Sequence, residues 1–584
     1  MTSAFTHAGP AAGRATWRLV AWPLTLALIA LVAYHVALTA STVAAFGLRH
    51  PFQDQYRLNL RYLTLPFPES VLALENGHRP ILPGLVRVVE LEWLKGAQWL
   101  EAATAWGAAA VALVLILRCV LGDLRGRPLL AMTAMCATGT LLLWNANARM
   151  FIHAYEAVHV FYILAFLTVS TTLALRAAPG DTARWALAVT ACIAATFTFG
   201  PGIGAFAALL AVAWVRRVGA RVLAGIGAAA ALMFVAYAFL LPGADGVRGA
   251  SAAFSASRSV FFALARIGAV VAETMRLADV EASRAALAAA AAGALAAAAM
   301  AVSVVARWRR RNAFGTCELM GIALFTFGAT VNVLLAINRS AYFLDYPGQM
   351  FADRYLFWSC VPWVGVALYA SARTMRAPRP AAAGVALIVL VASAAAIAPA
   401  RWCYGWASEV FRGSELSAIA AWIGVRDETE LRVEPEIGAA FTTRALDAMQ
   451  RRGIGMYATP ATPGRDRNVD VATDLALPDL RVRVAPVAAP AARGARLDRV
   501  SGVLPAQVAA QARGARLWLA DRDGMVRGRA ALTGSDGPPN ALFVGAPAWV
   551  VLEGYAVEQR PFGLVLLAER DGAITPVARL TEER

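Results

Sequence analysis

The stretch WPLTLALIALVAYHVALTA (22–40) contains no Asp, Glu, Lys or Arg, and a second uncharged stretch, GVALIVLVASAAAIAPA, occupies 384–400. Helices of about 20 apolar residues span the hydrocarbon core of a bilayer with every backbone hydrogen bond made internally. The chain of 584 residues is 59% hydrophobic and only 16% charged, whereas an ordinary soluble domain is about a quarter charged. These features predict a polytopic α-helical membrane protein.

Hydropathy predicts about eleven membrane-spanning helices before residue 400. They lie at about 17–40, 101–120, 128–145, 157–176, 184–200, 202–215, 222–241, 283–306, 315–337, 355–372 and 382–399. A further apolar segment, 258–277, carries Arg266 and Glu273, and we expect it to be an interfacial or re-entrant helix. The first span is too long and begins too late for a cleaved signal peptide, so we expect it to remain as an anchor.

The net charge of +16 comes almost entirely from arginine, because Lys95 is the only lysine. The arginines cluster in short loops between the predicted spans. These loops are RCVLGDLRGR (118–127), RAAPGDTAR (176–184), RRVGAR (216–221), RWRRRN (307–312) and RTMRAPRP (373–380). Cationic loops of membrane proteins face the cytoplasm. We therefore predict an N-terminus inside, a C-terminus outside and no nucleic-acid partner, with the bilayer accounting for the charge.

On this topology the unusually polar segments all lie on the outer face. They are 41–100, 145–156, 242–258, 338–354 and the region after residue 400. Long polar loops on one side of a hydrophobic bundle indicate a site at that membrane face.

The composition changes after residue 400, and the sequence predicts a second domain there. Residues 1–16 are expected to be a cytoplasmic tail, 17–400 the membrane bundle and 401–479 a helical linker in which Ser414 caps an amphipathic helix. From about 480 to 584 short alternating strands are interrupted by Asp523-Gly524 and Asp571-Gly572. Asp-Gly between apolar runs favours a hairpin turn. We therefore expect a small antiparallel β-domain on the extracytoplasmic side, organised as a sandwich.

The six cysteines show no CxxC spacing, and five lie in or beside apolar spans. They are Cys119, Cys136, Cys192, Cys317, Cys360 and Cys403. We expect neither a disulfide framework nor a metal site from them.

The first outer loop, DQYRLNLRYLTLPFPESVLALENGHRP (54–80), combines acids, arginines and a histidine. Asp54 is either a catalytic carboxylate at the membrane surface or a cap for the helix that follows it. His78 is either a proton carrier or a residue that holds the loop together. Arg57 and Arg79 are candidates for binding a phosphate or lipid headgroups, and Glu75 is an alternative catalytic acid.

A second cluster lies in NARMFIHAYEAVHVFYIL (147–164). Glu156 is three residues before His159, so the two side chains share a helix face. An ionisable pair at the mouth of a span is a candidate site, although a structural ion pair is the alternative. His153 and Tyr155 precede this pair, and a divalent metal is possible but lacks a third ligand in the sequence.

A third cluster, NRSAYFLDYPGQMFADRYLFWS (338–359), contains Arg339, Asp345, Asp353 and Arg354. Asp353 and Arg354 are either an interfacial anchor or, through Arg354, part of a phosphate site. The planar guanidinium donates pairs of hydrogen bonds to phosphate oxygens. An arginine at the interface could therefore hold a lipid phosphate whose polyprenyl tail stays in the bilayer. A nearby carboxylate could then accept a proton from an attacking sugar hydroxyl.

Three segments, FQDQYRL, ENGHRP and ADRYLFWSCVPWVGVALY, make the region 17–400 resemble integral-membrane glycosyltransferases of the GT-C superfamily. The likeness is to bacterial members with a DQ-type first loop followed by an HNEHR-like element. The chain departs from that element, because Glu75 stands in place of its first His and Gly77 in place of its Glu. The resemblance implies inverting transfer from a polyprenyl-phosphate sugar, with Asp54 as the catalytic carboxylate. It also implies a periplasmic active site, and often a soluble C-terminal domain.

These inferences predict an enzyme of the bacterial inner membrane that transfers a sugar from a polyprenyl-phosphate donor to an envelope glycan or lipid acceptor. An O-antigen ligase or polymerase is a related enzymatic alternative. A transporter or flippase for a lipid-linked substrate would need broken helices and polar residues deep in the spans, for which Asn332 and the Pro201-Gly202 break are the best candidates. A non-enzymatic assembly protein would not need its polar clusters to converge.

Overall fold

The computed structural model describes residues 10–53, 55–75, 77–240, 256–276, 280–433, 439–458, 469, 477–487, 496–535, 549–558 and 561–583. The helices of the first part of the chain are α1 (Pro10–Phe46), α2 (Gln55–Thr64), α3 (Glu69–Leu72), α4 (Ile81–Trp93), α5 (Trp99–Leu124), α6 (Pro128–Leu142), α7 (Ala148–Ile152), α8 (Ala154–Arg176), α9 (Thr182–Thr196), α10 (Gly204–Val215) and α11 (Ala220–Val235). The helices that follow are α12 (Ala256–Ile267), α13 (Ala269–Arg276), α14 (Ala282–Arg309), α15 (Thr316–Asn338), α16 (Ser340–Asp345), α17 (Asp353–Arg373), α18 (Arg379–Ala395), α19 (Ile397–Ile423), α20 (Glu428–Leu431), α21 (Ala439–Arg452) and α22 (Ala506–Ala512).

Within the described residues, eight helical segments are long and apolar enough to cross a membrane. Each of the eleven predicted spans coincides with an apolar helix, but α9, α10 and α11 are shorter than the others, at 15, 12 and 16 residues. Spanning a bilayer core takes about 17 to 25 helical residues. The predicted membrane-protein class is therefore supported, whereas the count of about eleven spans is not confirmed.

The chain folds into two compact units, and the larger one is the helical bundle. It comprises Met1–Thr42, Leu72–Gly84 and Glu101–Tyr404. Inside it, α15 packs along α17, α8 packs along α9, and α6 lies against both α17 and α18. Small residues allow close approach, because a Cβ on Gly321 would meet the backbone of Gly365 and Tyr369 at 2.7 and 2.9 Å.

The five arginine loops lie together at one end of this unit, which we call the arginine-rich end. Arg216 donates to the carbonyl oxygens of Ala174 and Ala177, so 216–221 meets 176–184. Arg217 donates to the carbonyl oxygen of Trp308. A cavity is lined by parts of 118–127, 307–318 and 372–376. The clustering agrees with the prediction that all five loops share one side of the membrane.

The described part of the segment 258–277, which ends at residue 276, lies in two short helices, α12 and α13, separated at Gly268. Neither is long enough to cross a bilayer. A Cβ on Gly268 would collide with the backbone of Ala289, so glycine lets α12 and α13 lie directly on α14. The path of the chain therefore agrees with the expectation that this segment is not a span.

Ser414 does not cap a helix, contrary to the sequence prediction. It lies inside α19, which runs without interruption from Ile397 to Ile423. The break falls earlier, between α18 and α19, and Pro399 lies in the first turn of α19 where its missing N–H costs no hydrogen bond. The Ser414 hydroxyl donates to the carbonyl oxygen of His50 at 3.5 Å.

The second unit comprises Val43–Val71, Leu85–Leu100 and Gly405–Arg584. Its seven strands are β1 (Asp479–Pro486), β2 (Leu497–Val503), β3 (Arg516–Ala520), β4 (Val526–Ser535), β5 (Trp549–Val557), β6 (Leu564–Arg570) and β7 (Ala573–Glu582). They form a closed barrel in the order β1-β2-β5-β4-β3-β6-β7. The prediction of a β-rich domain is confirmed, but the sandwich was wrong, because β1 pairs in parallel with β7 and closes the sheet.

Both Asp-Gly pairs form the predicted hairpin turns. Asp571 and Gly572 join β6 to β7 with φ of 50° and 84°, as a two-residue turn with two left-handed positions requires. In the β3–β4 turn, Gly524 has a φ of 81°. The Asp521 carboxylate accepts hydrogen bonds there from the backbone N–H groups of Asp523 and Met525.

Candidate functional site

The candidate site lies at the end of the helical unit opposite to the arginine-rich end. It is built from the turn formed by residues 74–75 and 77–79, the segment 145–159, the α9–α10 connection and the segment 338–355. Asp54, the predicted catalytic carboxylate, lies outside the described residues, although α2 does begin at Gln55 as the sequence predicts. Arg57 lies on α2 and belongs to the second unit.

The charged core of the site is an arginine held between two acids. Arg149 on α7 donates from Nε to the Glu156 carboxylate in the first turn of α8, at 2.9 Å. A guanidinium nitrogen of the same side chain lies 3.9 Å from a carboxylate oxygen of Asp353, the first residue of α17. Arg149 was not among the predicted site residues, and Asp353 was noted only as an interfacial anchor beside Arg354, because nothing in the sequence connects the two.

Arg354 lies next to Asp353 and makes its side-chain contacts within the third sequence cluster. Its guanidinium donates to the Tyr342 hydroxyl at 3.0 Å and to the side-chain oxygen of Gln349 at 3.1 Å, and it lies 5.1 Å from the ring centroid of Tyr355. Arg339 is exposed and lies 5.9 Å from the ring centroid of Tyr342. Tyr342 thus lies between the two predicted phosphate-binding arginines.

Two of the predicted histidines are connected through a phenylalanine that the sequence analysis did not single out. The rings of His159 and Phe199 are stacked, with their centroids 4.7 Å apart. The ring of His78 also contacts Phe199, with a centroid distance of 4.0 Å. Tyr155 makes an edge contact with His159 at 4.8 Å. Aromatic contacts of this kind contribute about 0.5–1.5 kcal/mol beyond area burial. Through Phe199, these ring contacts therefore connect His78 to His159 on α8.

A glycine makes room for this stack. A Cβ on Gly200 would lie 2.5 Å from Nδ1 and 3.0 Å from Cε1 of the His78 ring. Any side chain here would displace His78, so the residue that follows Phe199 must be small.

Glu75 and Arg79 form the rigid part of the turn and are both buried. The backbones of Glu75 and His78 exchange two hydrogen bonds of 2.8 Å. The Arg79 guanidinium donates to the carbonyl oxygen of Leu72 at 3.0 Å, and its backbone N–H donates to the Tyr237 hydroxyl at 2.9 Å. These contacts favour a structural role for Arg79, which was predicted to bind a phosphate or headgroups.

A buried arginine, Arg266, binds the backbone of the segment that carries Arg354. Arg266 on α12 donates to the carbonyl oxygen of Met350 at 2.6 Å and to that of Tyr355 at 2.8 Å. Its guanidinium also reaches the Ser359 hydroxyl at 3.4 Å, and that hydroxyl donates to the Asn332 amide oxygen at 3.3 Å. Arg266 therefore fixes the backbone on both sides of Arg354.

Burial keeps two of the site histidines neutral at physiological pH. Burial, assisted by the charge of Arg339, lowers the pKa of His78 to about 4. Burial also lowers the pKa of His153 to about 4, although the Glu156 carboxylate acts in the opposite direction. As neutral imidazoles, these side chains can accept or donate hydrogen bonds without adding charge to the site.

No group of three or more His, Cys, Asp or Glu side chains in the described part of the chain is placed to hold a metal ion. All six cysteines are buried thiols.

Comparisons of the chain with protein-family models, with curated proteins and with solved structures gave no match.

Proposed function

We propose that the protein is an integral-membrane glycosyltransferase of the bacterial inner membrane. It transfers a sugar from a polyprenyl-phosphate donor to an envelope glycan or lipid acceptor on the outer face. The observation that supports this function best is the gathering of Arg149, Arg339 and Arg354 with Glu156 and Asp353 at one end of an apolar bundle. Isolated charges at a membrane surface gain little, whereas a cationic cluster suits a lipid-linked phosphate.

In this proposal the arginines bind the phosphate. Arg354 and Arg339 flank Tyr342, and Arg354 is only partly buried, so its guanidinium can exchange neutral partners for phosphate oxygens. Developing negative charge on the leaving phosphate is stabilised by donors that are already fixed in place. Arg266 supplies this fixation through the carbonyl groups of Met350 and Tyr355.

The proposed catalytic base is Asp54, on the resemblance to the GT-C superfamily, with Glu156 as the alternative. Glu156 already accepts a hydrogen bond from Arg149, and a carboxylate used in this way is a poorer proton acceptor than a free one. We therefore assign Glu156 to positioning Arg149. An acceptor hydroxyl would lose its proton to Asp54 as its oxygen forms a bond to the anomeric carbon, while the bond to the lipid phosphate breaks.

The experiment is cleavage of radiolabelled polyprenyl-phosphate sugars by the purified protein in detergent or nanodiscs. The wild-type protein should release polyprenyl phosphate from at least one donor. Arg354→Gln should reduce the release by about 10²-fold, since loss of one transition-state donor costs that much. Arg284→Gln is the matched control, because Arg284 is exposed and forms its ion pair with Glu281, the N-cap residue of α14, rather than with a residue of the candidate site. Equal activity of both variants would contradict the proposal.

A lipid-linked-substrate flippase is the second candidate. It is favoured by the short helices α9 and α10, which are broken at 200–203, and by the buried polar group of Asn332. The same donors reconstituted in one leaflet distinguish the two functions. A flippase would move the intact donor across the bilayer without cleaving it.

A further inference from the structure

The arginine-rich end of the bundle contains a cavity of about 350 Å³. The C-terminal ends of α5, α14 and α17 surround it together with the N-terminal end of α15. Its charged lining residues are Asp123, Arg307, Glu318, Arg373 and Arg376. The candidate site described above lies at the other ends of α15 and α17, about 30 Å away at 1.5 Å per helical residue. The cavity is therefore a separate feature of the molecule.

Both acids of the cavity already have donors from the protein as partners. The Asp123 carboxylate accepts hydrogen bonds of 2.7 Å from the Thr316 hydroxyl and the Cys317 backbone N–H, at the beginning of α15. Glu318 forms a buried ion pair with Arg307. It also accepts a hydrogen bond of 2.8 Å from the Gly315 backbone N–H. The lining therefore has two acids, both with protein donors, against three arginines, which favours an anion over a cation.

Two of the three arginines that line the cavity have no such partners. Arg373 and Arg376 are exposed, and neither side chain makes a hydrogen bond or ion pair with another described residue. Arg307 is buried, and its Nε has no hydrogen-bond partner within the described ranges. Donors without protein acceptors at the edge of a cavity are suited to an anionic ligand.

Neighbouring aromatic residues indicate the depth of the cavity in the membrane. The rings of Trp214 and Trp308 are stacked at 4.6 Å, and Arg217 lies 4.7 Å from the centroid of the Trp308 ring. Tryptophan and arginine are enriched at the level of the lipid headgroups. Trp308 directly follows Arg307 in the chain, so the cavity lies at the same level, where phosphate groups are concentrated.

We propose that this cavity binds a phosphate group, with Arg373 and Arg376 as its ligands. Basic pockets between membrane helices bind anionic headgroups in this way. A phospholipid headgroup and a soluble phosphate share this chemistry. The proposal does not depend on the glycosyltransferase function, because no residue of the candidate site takes part in it.

The test measures binding to the purified full-length protein by native mass spectrometry, with phosphatidylglycerol and inorganic phosphate as separate probes. The double variant Arg373→Ala/Arg376→Ala should bind the recognised probe about tenfold more weakly. The control Arg309→Ala/Arg310→Ala removes the same charge from exposed residues at the same end of the bundle that do not line the cavity. It should bind within about twofold of the wild type.

Arg373→Lys/Arg376→Lys preserves the charge needed for membrane insertion if the alanine variant does not fold. It should still weaken binding about threefold, because lysine lacks the planar fork. Binding of phosphatidylglycerol, of inorganic phosphate or of both, with this dependence on Arg373 and Arg376, supports the proposal and identifies the source. Equal weakening by the control pair, or no binding of either probe, would overturn it.

Discussion

The ion pairs of Arg149 lead to a quantitative prediction about the candidate site. The Arg149–Glu156 pair is a hydrogen bond of 2.9 Å between side chains that are 25% and 22% exposed. Hydrogen bonds to charged groups contribute about 1.5–3 kcal/mol, and exposed ion pairs about 0–1 kcal/mol. We therefore expect a coupling free energy of about 2 kcal/mol for this pair. The Arg149–Asp353 contact is longer, at 3.9 Å, and the Asp353 side chain is 30% exposed. Its coupling free energy should therefore be about 0.5 kcal/mol.

Double-mutant cycles measure both values in the folded protein. Arg149→Met is combined in turn with Glu156→Gln and with Asp353→Asn, and the free energy of unfolding is measured by denaturant titration in mixed micelles. Asparagine at 353 can still accept the 2.7 Å hydrogen bond from the Arg354 backbone N–H, so this cycle reports the ion pair alone. If the coupling to Asp353 equals or exceeds the coupling to Glu156, the geometry of the charged core is wrong.

Three further predictions follow from the same contacts. Gly200→Ala should destabilise the protein by about 1–3 kcal/mol, because the added Cβ meets the His78 ring. The control Gly107→Ala should not destabilise it in this way, because a Cβ there meets nothing within 4 Å. Thermal unfolding of the two variants measures the difference. The pKa of His78 is about 4 in the folded protein and about 6.5 when unfolded, so only the unfolded chain gains a proton between these values. The contribution of His78 to stability should therefore be constant above about pH 6.5 and be lost towards pH 4 by up to about 1.4 kcal/mol per unit. His153, with a similarly lowered pKa, adds a loss that persists in His78→Gln, so stability should fall less steeply in this variant than in the wild type. Deletion of 480–584 should weaken acceptor binding or stability but leave donor cleavage in place. Complete loss of donor cleavage in a folded truncation would contradict an accessory role for the barrel.

The helical part of the fold was largely predictable, because hydropathy and helix length are local properties. Every predicted span coincides with a helix, and both Asp-Gly turns are where their backbone preferences place them. The closure of the barrel was not predictable. It depends on the parallel pairing of β1 with β7, such as Leu480 with Leu580, and no local pattern connects strands so far apart in sequence.

The candidate site was predictable by residue type but not by partner. Glu156, His159 and Arg354 were recognisable as polar residues at the mouths of apolar spans. Their partners were not, because Arg149 meets Asp353, and Phe199 meets His78 and His159, only when separate segments of the chain come together. Arg266 was visible as a charge in an apolar segment, but its contacts with the carbonyl groups around Arg354 are a tertiary feature.

The most direct test of the proposed function compares Asp54→Asn with Glu156→Gln in the donor-cleavage assay. Loss of a positioned general base reduces the rate by about 10²- to 10⁴-fold. The proposal predicts this loss for Asp54→Asn with unchanged donor binding, and a smaller loss for Glu156→Gln, which positions Arg149. Near-normal turnover by Asp54→Asn together with an inactive Glu156→Gln would place the base on α8. Failure of the wild-type protein to cleave any polyprenyl-phosphate sugar would contradict the glycosyltransferase proposal itself.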